Sequence, residues 1–529
     1  MHNDIFRPGL PYWSRFLTVL VLLITTLILN GAYTGSSIDI SGSLSVLRED
    51  ISMAYYATTA GMIATYPMAS RVRSVLSTKS ILLIDIFLQL LLSFVCLHAT
   101  TIAVIIGASF FIGFLKAFMM LELIVLIRPF LSPGNIRSNF YSYFYPMVYG
   151  CSQLALLITS LIAYSFQWQY MYYIAIIMLL IASGMILITM RFENKPVKIP
   201  FKFIDWRSLL FMDFILLLFI YICLYGKMDD WFSSPYITCS FLLIPIILFL
   251  FFYHEKNRKA PYIDLNVLKL GKPLISYGFM FIAMFVISSN TLVNSYATNI
   301  IGVNNVKSNA LNLFCIPGFI LGAVICYWWF KLQIFRFRTL IFWGMASLNI
   351  YLALLYFGLM PDGRYEYLFL PMFFRGIGMI IIFIAFGVYA VEDLAPKYTI
   401  HNAFFIVSIR SVIAPVVASS FFSNMLYRKQ IKYIQHLSEQ LDSVSVRSGD
   451  LFNNYLSNAL NSGNSYDDAA ITATKKMYSI IAPQASLIAM KELFGWTLIV
   501  SIIIMIVARF IPFHRTLKVK QVKAGDDMV

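Results

Sequence analysis

Lys116 and Glu122 stand six residues apart in IGFLKAFMMLELIVLIRPF (residues 112–130), where almost every other side chain is apolar. An ionised side chain at the centre of a bilayer costs roughly 2.5–3.5 kcal/mol on insertion scales, so something must offset a cation and an anion placed there. Six residues turn a helix through about 240° and advance it by about 9 Å. The two therefore cannot pair with each other, and each needs a partner from another helix or a watery cavity. The chemistry that suits them is the handling of small charged species. Lys116 can attract an anionic group or form a switchable pair, while Glu122, or Asp85 read at a similar depth in the preceding apolar stretch, can take up and release a coupling proton. The alternative is a fixed structural pair at Lys116 and carboxylates that reach the membrane boundary. Arg375 and Arg410 are the later cations of the same kind. Arg375 reads as a gating or structural charge, and Arg410 as a group able to neutralise Asp85, Glu122 or Glu392. Asn290, Asn294, Tyr33 and Tyr145 are further candidates for a shared cavity, and Pro317, Gly318 and Pro415 for helix kinks.

The elements that must position these residues are membrane-spanning helices. Of 529 residues, 60% are hydrophobic and 12% charged, against about 25% charged in an ordinary soluble domain; the mean hydropathy is +0.77. A span needs about 20 apolar residues. That length predicts fourteen helices, near 16–37, 53–70, 80–98, 102–127, 140–164, 170–190, 208–226, 236–253, 274–295, 309–330, 339–360, 367–391, 403–426 and 493–513. The net charge of +15 is gathered in clusters at every second connection, such as Arg71, Arg73 and Lys79, or Lys256, Arg258 and Lys259. This is the positive-inside pattern; it predicts both termini in the cytoplasm and excludes a nucleic-acid footprint as the source of the charge. A soluble segment from 427 to 492 stands on the opposite side, its first part helical by the spacing of Ile431, Ile434, Leu437 and Leu441. It reads either as a passive lid or as a docking surface.

The six cysteines lie in apolar segments without C-x-x-C spacing, and the six histidines are scattered, so neither metal nor redox chemistry is expected. There is no G-x(4)-G-K-[ST] for nucleotide binding. An internal repeat is present: Phe110, Phe111, Gly113, Leu131, Pro133 and Asn139 recur as Phe373, Phe374, Gly376, Leu394, Pro396 and Asn402, each pair separated by the same 263 positions. The repeat predicts an all-α membrane protein of two six-helix bundles, helices 1–6 and 9–14, with helices 7 and 8 inserted between them. The corresponding divisions are 1–190, 191–272 and 273–529. Such an arrangement binds substrate near the midplane between the halves.

The chain resembles the fourteen-span EmrB/QacA-like drug:proton antiporters of the major facilitator superfamily. The resemblance rests on FRGIG at 374–378, Asp230-Trp231 after helix 7, Trp168 opening helix 6, APYIDL at 260–265, and Gln484-Ala485 leading to Phe494. The loop between helices 2 and 3, YPMASRVRSVLSTKS, keeps Arg71 and Arg73 of that family's gating motif without its Asp and glycines. Where many drug exporters carry an acid in helix 1, this chain has Asn30, with Asp39 further out. The resemblance implies a secondary transporter in the plasma (inner) membrane, exporting amphiphilic small molecules in exchange for protons, as in multidrug resistance, without a cofactor. It also implies a periplasmic adaptor at 427–492. The alternatives are an uptake or non-transporting member of the same fold, or a polytopic enzyme acting on lipid-linked substrates, which would need clustered acids or histidines at one membrane face.

Overall fold

The computed structural model describes residues 5–134, 136–192, 205–256, 258, 261–332, 336–392, 394–439, 446–511 and 513, without the side chains of Ser70, Arg71, Ser74, Val446, Arg447 and Ser448. Fourteen helical elements follow the sequence expectation closely. They are α1 (Tyr12–Ile28), α2 (Arg48–Val75), α3 (Thr78–Leu97), α4 (Ile102–Leu131), α5 (Arg137–Ser165), α6 (Tyr170–Thr189), α7 (Trp206–Tyr225), α8 (Pro235–Lys256), α9 (Gly271–Asn299), α10 (Asn305–Leu332), α11 (Phe337–Gly358), α12 (Tyr365–Tyr389), α13 (Pro396–Glu439) and α14 (Tyr466–Phe510). Twelve are long and apolar enough to cross a membrane. The other two are α1, which is only 17 residues long, and α2, which carries Arg48, Glu49, Asp50 and Arg73 near its ends.

Helices α1–α6 pack as one bundle and α9–α14 as a second, while α7 and α8 pack on each other and, through α7, on α2 and α13. In the apolar stretch of α12 72% of residues are buried, against 17% for α8. The first is therefore a central helix, and the second presents most of its surface to lipid.

Lipid is as apolar as leucine, so helices associate within it by close packing of small residues rather than by the hydrophobic effect. The repeat shows where. At the α2–α4 crossing, a Cβ on Gly61 would stand 2.3 Å from the Phe110 carbonyl oxygen and one on Gly113 1.8 Å from that of Thr58. At the α10–α12 crossing, a Cβ on Gly318 would stand 2.2 Å from the Phe373 oxygen and one on Gly376 2.4 Å from that of Cys315. Phe110 and Gly113 thus do in the first bundle what Phe373 and Gly376 do in the second. The adjacent ring pairs also match, Phe110–Phe111 at 5.5 Å and Phe373–Phe374 at 5.6 Å.

The segment 427–492 is largely helix. Helix α13 continues to Glu439, a further helix covers Val446–Asn461, and α14 runs unbroken for 45 residues. At 1.5 Å per residue α14 is about 68 Å long, more than twice the hydrocarbon thickness, so its first half projects beyond the membrane. Lys429 Nζ lies 2.6 Å from Glu492 Oε1, and the Tyr433 hydroxyl donates to Glu492 Oε2 at 2.9 Å, tying α13 to α14. The last helix starts well before the expected residue 493 because a polar sequence without a helix-breaking pair continues the helix without continuing the apolar run.

Candidate functional site

Helix α1 stops in mid-bundle. Leu29 is extended (φ −67°, ψ 113°), Tyr33 is extended (φ −118°, ψ 111°), and helical structure resumes only at Thr34–Ser36 and Ser37–Leu44. The local sequence LNGAYTGSS explains the break, since Asn, Gly and Ser favour turns over helix interiors. Gly31 is required there: a Cβ would lie 1.9 Å from Ser109 Oγ. Unwound backbone at membrane depth must find its partners inside the protein, and this segment does. Lys116 Nζ donates to the Leu29 carbonyl at 2.7 Å and to Asn30 Oδ1 at 3.0 Å. The Tyr172 hydroxyl donates to the Gly31 carbonyl at 2.6 Å, and the Gly35 carbonyl accepts from Ser160 Oγ at 3.2 Å and Asn309 Nδ2 at 2.9 Å. Lys116 and Asn30, two residues singled out by the sequence, are thus brought together. Asn309 belongs to the second bundle, so the far end of this broken helix is also a contact between halves.

The second bundle repeats the device. Helix α9 is interrupted at Ser289, between Gly271–Ser288 and Asn290–Asn299. Arg375 Nε donates to the Ile287 carbonyl at 3.2 Å, and its Nη1 lies 3.5 Å from both Asn312 Oδ1 and Cys315 Sγ. Asn290 Nδ2 donates to the same Asn312 oxygen at 3.3 Å. In each half a cation on the fourth helix donates to a carbonyl where the first helix is interrupted, by an extended stretch in α1 and by a single turn residue, Ser289, still in αR geometry (φ −59°, ψ −9°), in α9. The cations are not equivalent in the repeat register: Lys116 is three residues after Gly113 and Arg375 one before Gly376. They differ by one helical turn along the same face, and each reaches the interruption of its own first helix.

Glu122 is placed elsewhere. Only 3% exposed, it accepts from Thr78 Oγ1 at 2.9 Å and lies 3.3 Å from Arg73 Nε. This joins the end of α2 and the start of α3 to the last third of α4, where the chain turns between α2 and α3. Arg73, read as a gating charge, is therefore the partner of Glu122; Arg71 lies outside the described side chains. Asp85 does not share the depth of Glu122. Helix α3 starts at Thr78, which itself touches Glu122, so Asp85 sits about 10 Å further along it. Asp85 is 2% exposed; Oδ2 accepts from Gln89 Nε2 at 2.9 Å and Oδ1 has no hydrogen-bond partner. Asp39 is half-buried in the short helix Ser37–Leu44, beyond the break, where burial raises its carboxyl above the ordinary value.

Among the described residues no carboxylate lies within salt-bridge distance of Arg410. Its guanidinium carbon lies 5.5 Å from the ring centres of Tyr145 and Phe383 and 6.0 Å from that of Tyr149. It enters from α13 into rings of α5 and α12, so its environment is a cation–π cage across the two bundles. It lies in a π-helical turn, Ile409–Ile413. Pro415 follows immediately and supplies no amide to the ladder, which accounts for the widened turn. Sequence reasoning missed this cage because nothing in a lone Arg tells aromatic faces from acids as partners. The density of tyrosine in YSYFYPMVYG (141–150) was the available signal. Tyr33 packs edge-on against Tyr172 at 5.9 Å near the α1 break, and Asn294 Oδ1 is buried without a partner.

No protein-family model and no curated protein matches this sequence. Solved structures do match by fold. A mutant of peptide transporter POT superposes with a TM-score of 0.57 at 13% identity, covering 96% of both chains. Peptide transporter POT in complex with sulfate matches at 0.55 and 12%, covering 95% of this chain and 96% of the other. Tetrameric PepTSo2 matches at 0.55 and 12%, covering 94% and 97%. The chain is a multi-pass membrane protein that shares, over nearly its whole length, the fold of these peptide transporters.

Proposed function

We propose that this protein is a secondary active transporter that moves a small molecule between its two bundles by alternating access. The observation that carries the reading is the pair of broken first helices, α1 at Leu29–Tyr33 and α9 at Ser289, each held by a fourth-helix cation. Breaks of this kind place polar backbone and ionised side chains at mid-membrane, where a transporter binds its cargo. The halves also touch through α2 and α13 towards one face, through Asn309 and Gly35 towards the other, and through α5 against α10 and α12 between them; opening at one face has to leave the contacts at the other in place.

Coupling to protons is assigned to Asp85. Of the two buried carboxylates in the first bundle it has no cation partner among the described residues, whereas Glu122 has Arg73. Export of an amphiphilic molecule, rather than uptake, rests on the sequence resemblance to drug:proton antiporters. The test is proteoliposome transport under an imposed pH gradient. Gradient-driven substrate movement is expected in the wild type; Lys116→Met should lose it, and Asp85→Asn should retain exchange without the gradient-driven part. Full activity in Lys116→Met, or no gradient dependence in the wild type, would refute the assignment.

A further inference from the structure

Among the described residues three cations lie deep within the helices of the two bundles, away from their ends: Lys116, Arg375 and Arg410. Among the described residues no carboxylate lies within salt-bridge distance of any of them. The carboxylates that do have cations use others: Glu122 has Arg73, Glu392 has Lys272 at 3.0 Å, Glu492 has Lys429, and Asp205 has Arg258 at 3.0 Å. Lys116 and Arg375 spend donors on the carbonyls of Leu29 and Ile287. Arg410 is different. Its Nη1 is buried without a hydrogen-bond partner, among the rings of Tyr145, Tyr149 and Phe383.

A guanidinium donor removed from water and left without an acceptor is costly. The rings compensate the charge and the Tyr145 hydroxyl takes part of the hydrogen bonding, but Nη1 itself is left without an acceptor. The group that satisfies both is a carboxylate or a similar planar oxyanion, which accepts two parallel N–H bonds from a guanidinium, carried on an apolar or aromatic body that stacks with the tyrosines. The Arg375 end of the pathway connects to this cage through Phe319, one turn beyond Cys315 on α10, whose ring is 6.1 Å from that of Tyr149. An anion leaving the cage therefore meets a second cation along α12.

We infer that the molecule carried by this protein is an organic anion with an apolar or aromatic body, and that Arg410, in its cage of Tyr145, Tyr149 and Phe383, is the group that recognises its charge. The inference names the substrate class of the transport pathway proposed above and rests on that reading. Arg410 holds the anion while the bundles are closed on each other. Because the guanidinium comes from one bundle and two of the three rings from α5 of the other, loading this site changes the contact that alternating access must break.

The experiment uses the purified full chain in a neutral detergent, free of anionic lipid headgroups, and matched sets of naphthyl and decyl probes: the carboxylate, its methyl ester and the corresponding ammonium compound. Carboxylates should raise the melting temperature in a saturable way, whereas esters and ammonium compounds should not. Arg410→Gln should weaken the carboxylate response by about tenfold or more, with Arg410→Lys intermediate, and the ligand-free melting temperature reports whether each variant is folded. Arg375→Gln provides a second reading on a cation with other partners. The inference is overturned if esters or ammonium probes stabilise as well as carboxylates, if no carboxylate stabilises, or if folded Arg410→Gln responds like the wild type. Proteoliposome uptake of the stabilising carboxylate separates the two claims: binding without movement leaves the anion site standing and sinks the transporter reading.

Discussion

Gly113→Ala is the sharpest test of whether each bundle moves as a rigid body. The added Cβ would stand 1.8 Å from the Thr58 carbonyl oxygen, and the closest comfortable carbon–oxygen approach is about 3.3 Å. The obstacle is main chain, which no rotamer change removes, so α2 and α4 would have to separate by about 1.5 Å. Overpacking of this kind costs about 1–3 kcal/mol. Against it, Ala gains up to about 1 kcal/mol over Gly in helix propensity. Gly107→Ala on the same helix isolates that gain, because a Cβ there meets nothing within 4 Å. The two single variants should therefore differ by about 1–3 kcal/mol, with Gly107→Ala the more stable. Gly376→Ala, whose Cβ would lie 2.4 Å from the Cys315 oxygen, should behave like Gly113→Ala. Thermal melting in detergent, followed by tryptophan fluorescence, reads all three. If Gly113→Ala melts at or above Gly107→Ala, the two helices are not locked as described, and the rigid bundle required for rocking is lost.

Two further outcomes are expected. Asp205 caps α7, accepting from the Ser208 amide and hydroxyl, from Arg258 at 3.0 Å and lying 3.2 Å from His254 Nε2. Burial opposes its ionisation, but the Ser208 bonds, His254 and Arg258 outweigh it and hold the carboxyl below its usual range. Its charge therefore stabilises fully above the unfolded-state pKa, and that contribution is lost as pH falls through the lower folded value. Asp205→Asn should cost about 1 kcal/mol or less at neutral pH, since Arg258, the cation it pairs with, is more than a third exposed. The melting-temperature gap to the wild type should close below about pH 4, and a gap that widens there would contradict the assignment. Asn309→Ala removes the donor to Gly35 and Ser160 across the bundles; spin-label distances between positions 37 and 307 should gain a longer population, and an unchanged distribution would remove Asn309 from the gate.

The spans were legible because apolar run length is a direct physical requirement of the bilayer, and the expected boundaries mostly fell within a turn of those observed. The repeat was legible for a related reason. Gly113 and Gly376 sit where two backbones touch, and only glycine fits. The break in α1 was not, because an average over twenty residues passes smoothly across Asn30 and Gly31 and predicts one continuous span at 16–37. Partners were the least readable. Glu122 and Arg73 are 49 positions apart and meet only because α2 and α4 cross, and Arg410 has rings where acids were expected. A charge in an apolar helix announces that it needs compensation, but the tertiary fold alone determines what provides it.

The inserted pair straddles the seam. Helix α7 lies broadly on α2 of the first bundle, with the Tyr225 hydroxyl donating to Asp50 and the Tyr262 hydroxyl, just beyond α8, donating to the Ala64 carbonyl, but only lightly on α13 of the second. A seesaw movement of the bundles cannot preserve both attachments. Under the alternating access proposed above, the firmer one would keep α7 and α8 travelling with the first bundle while α13 slides past them. A covalent staple from α7 to α13 would accordingly stall the cycle, while the same staple from α7 to α2 would be carried along unnoticed.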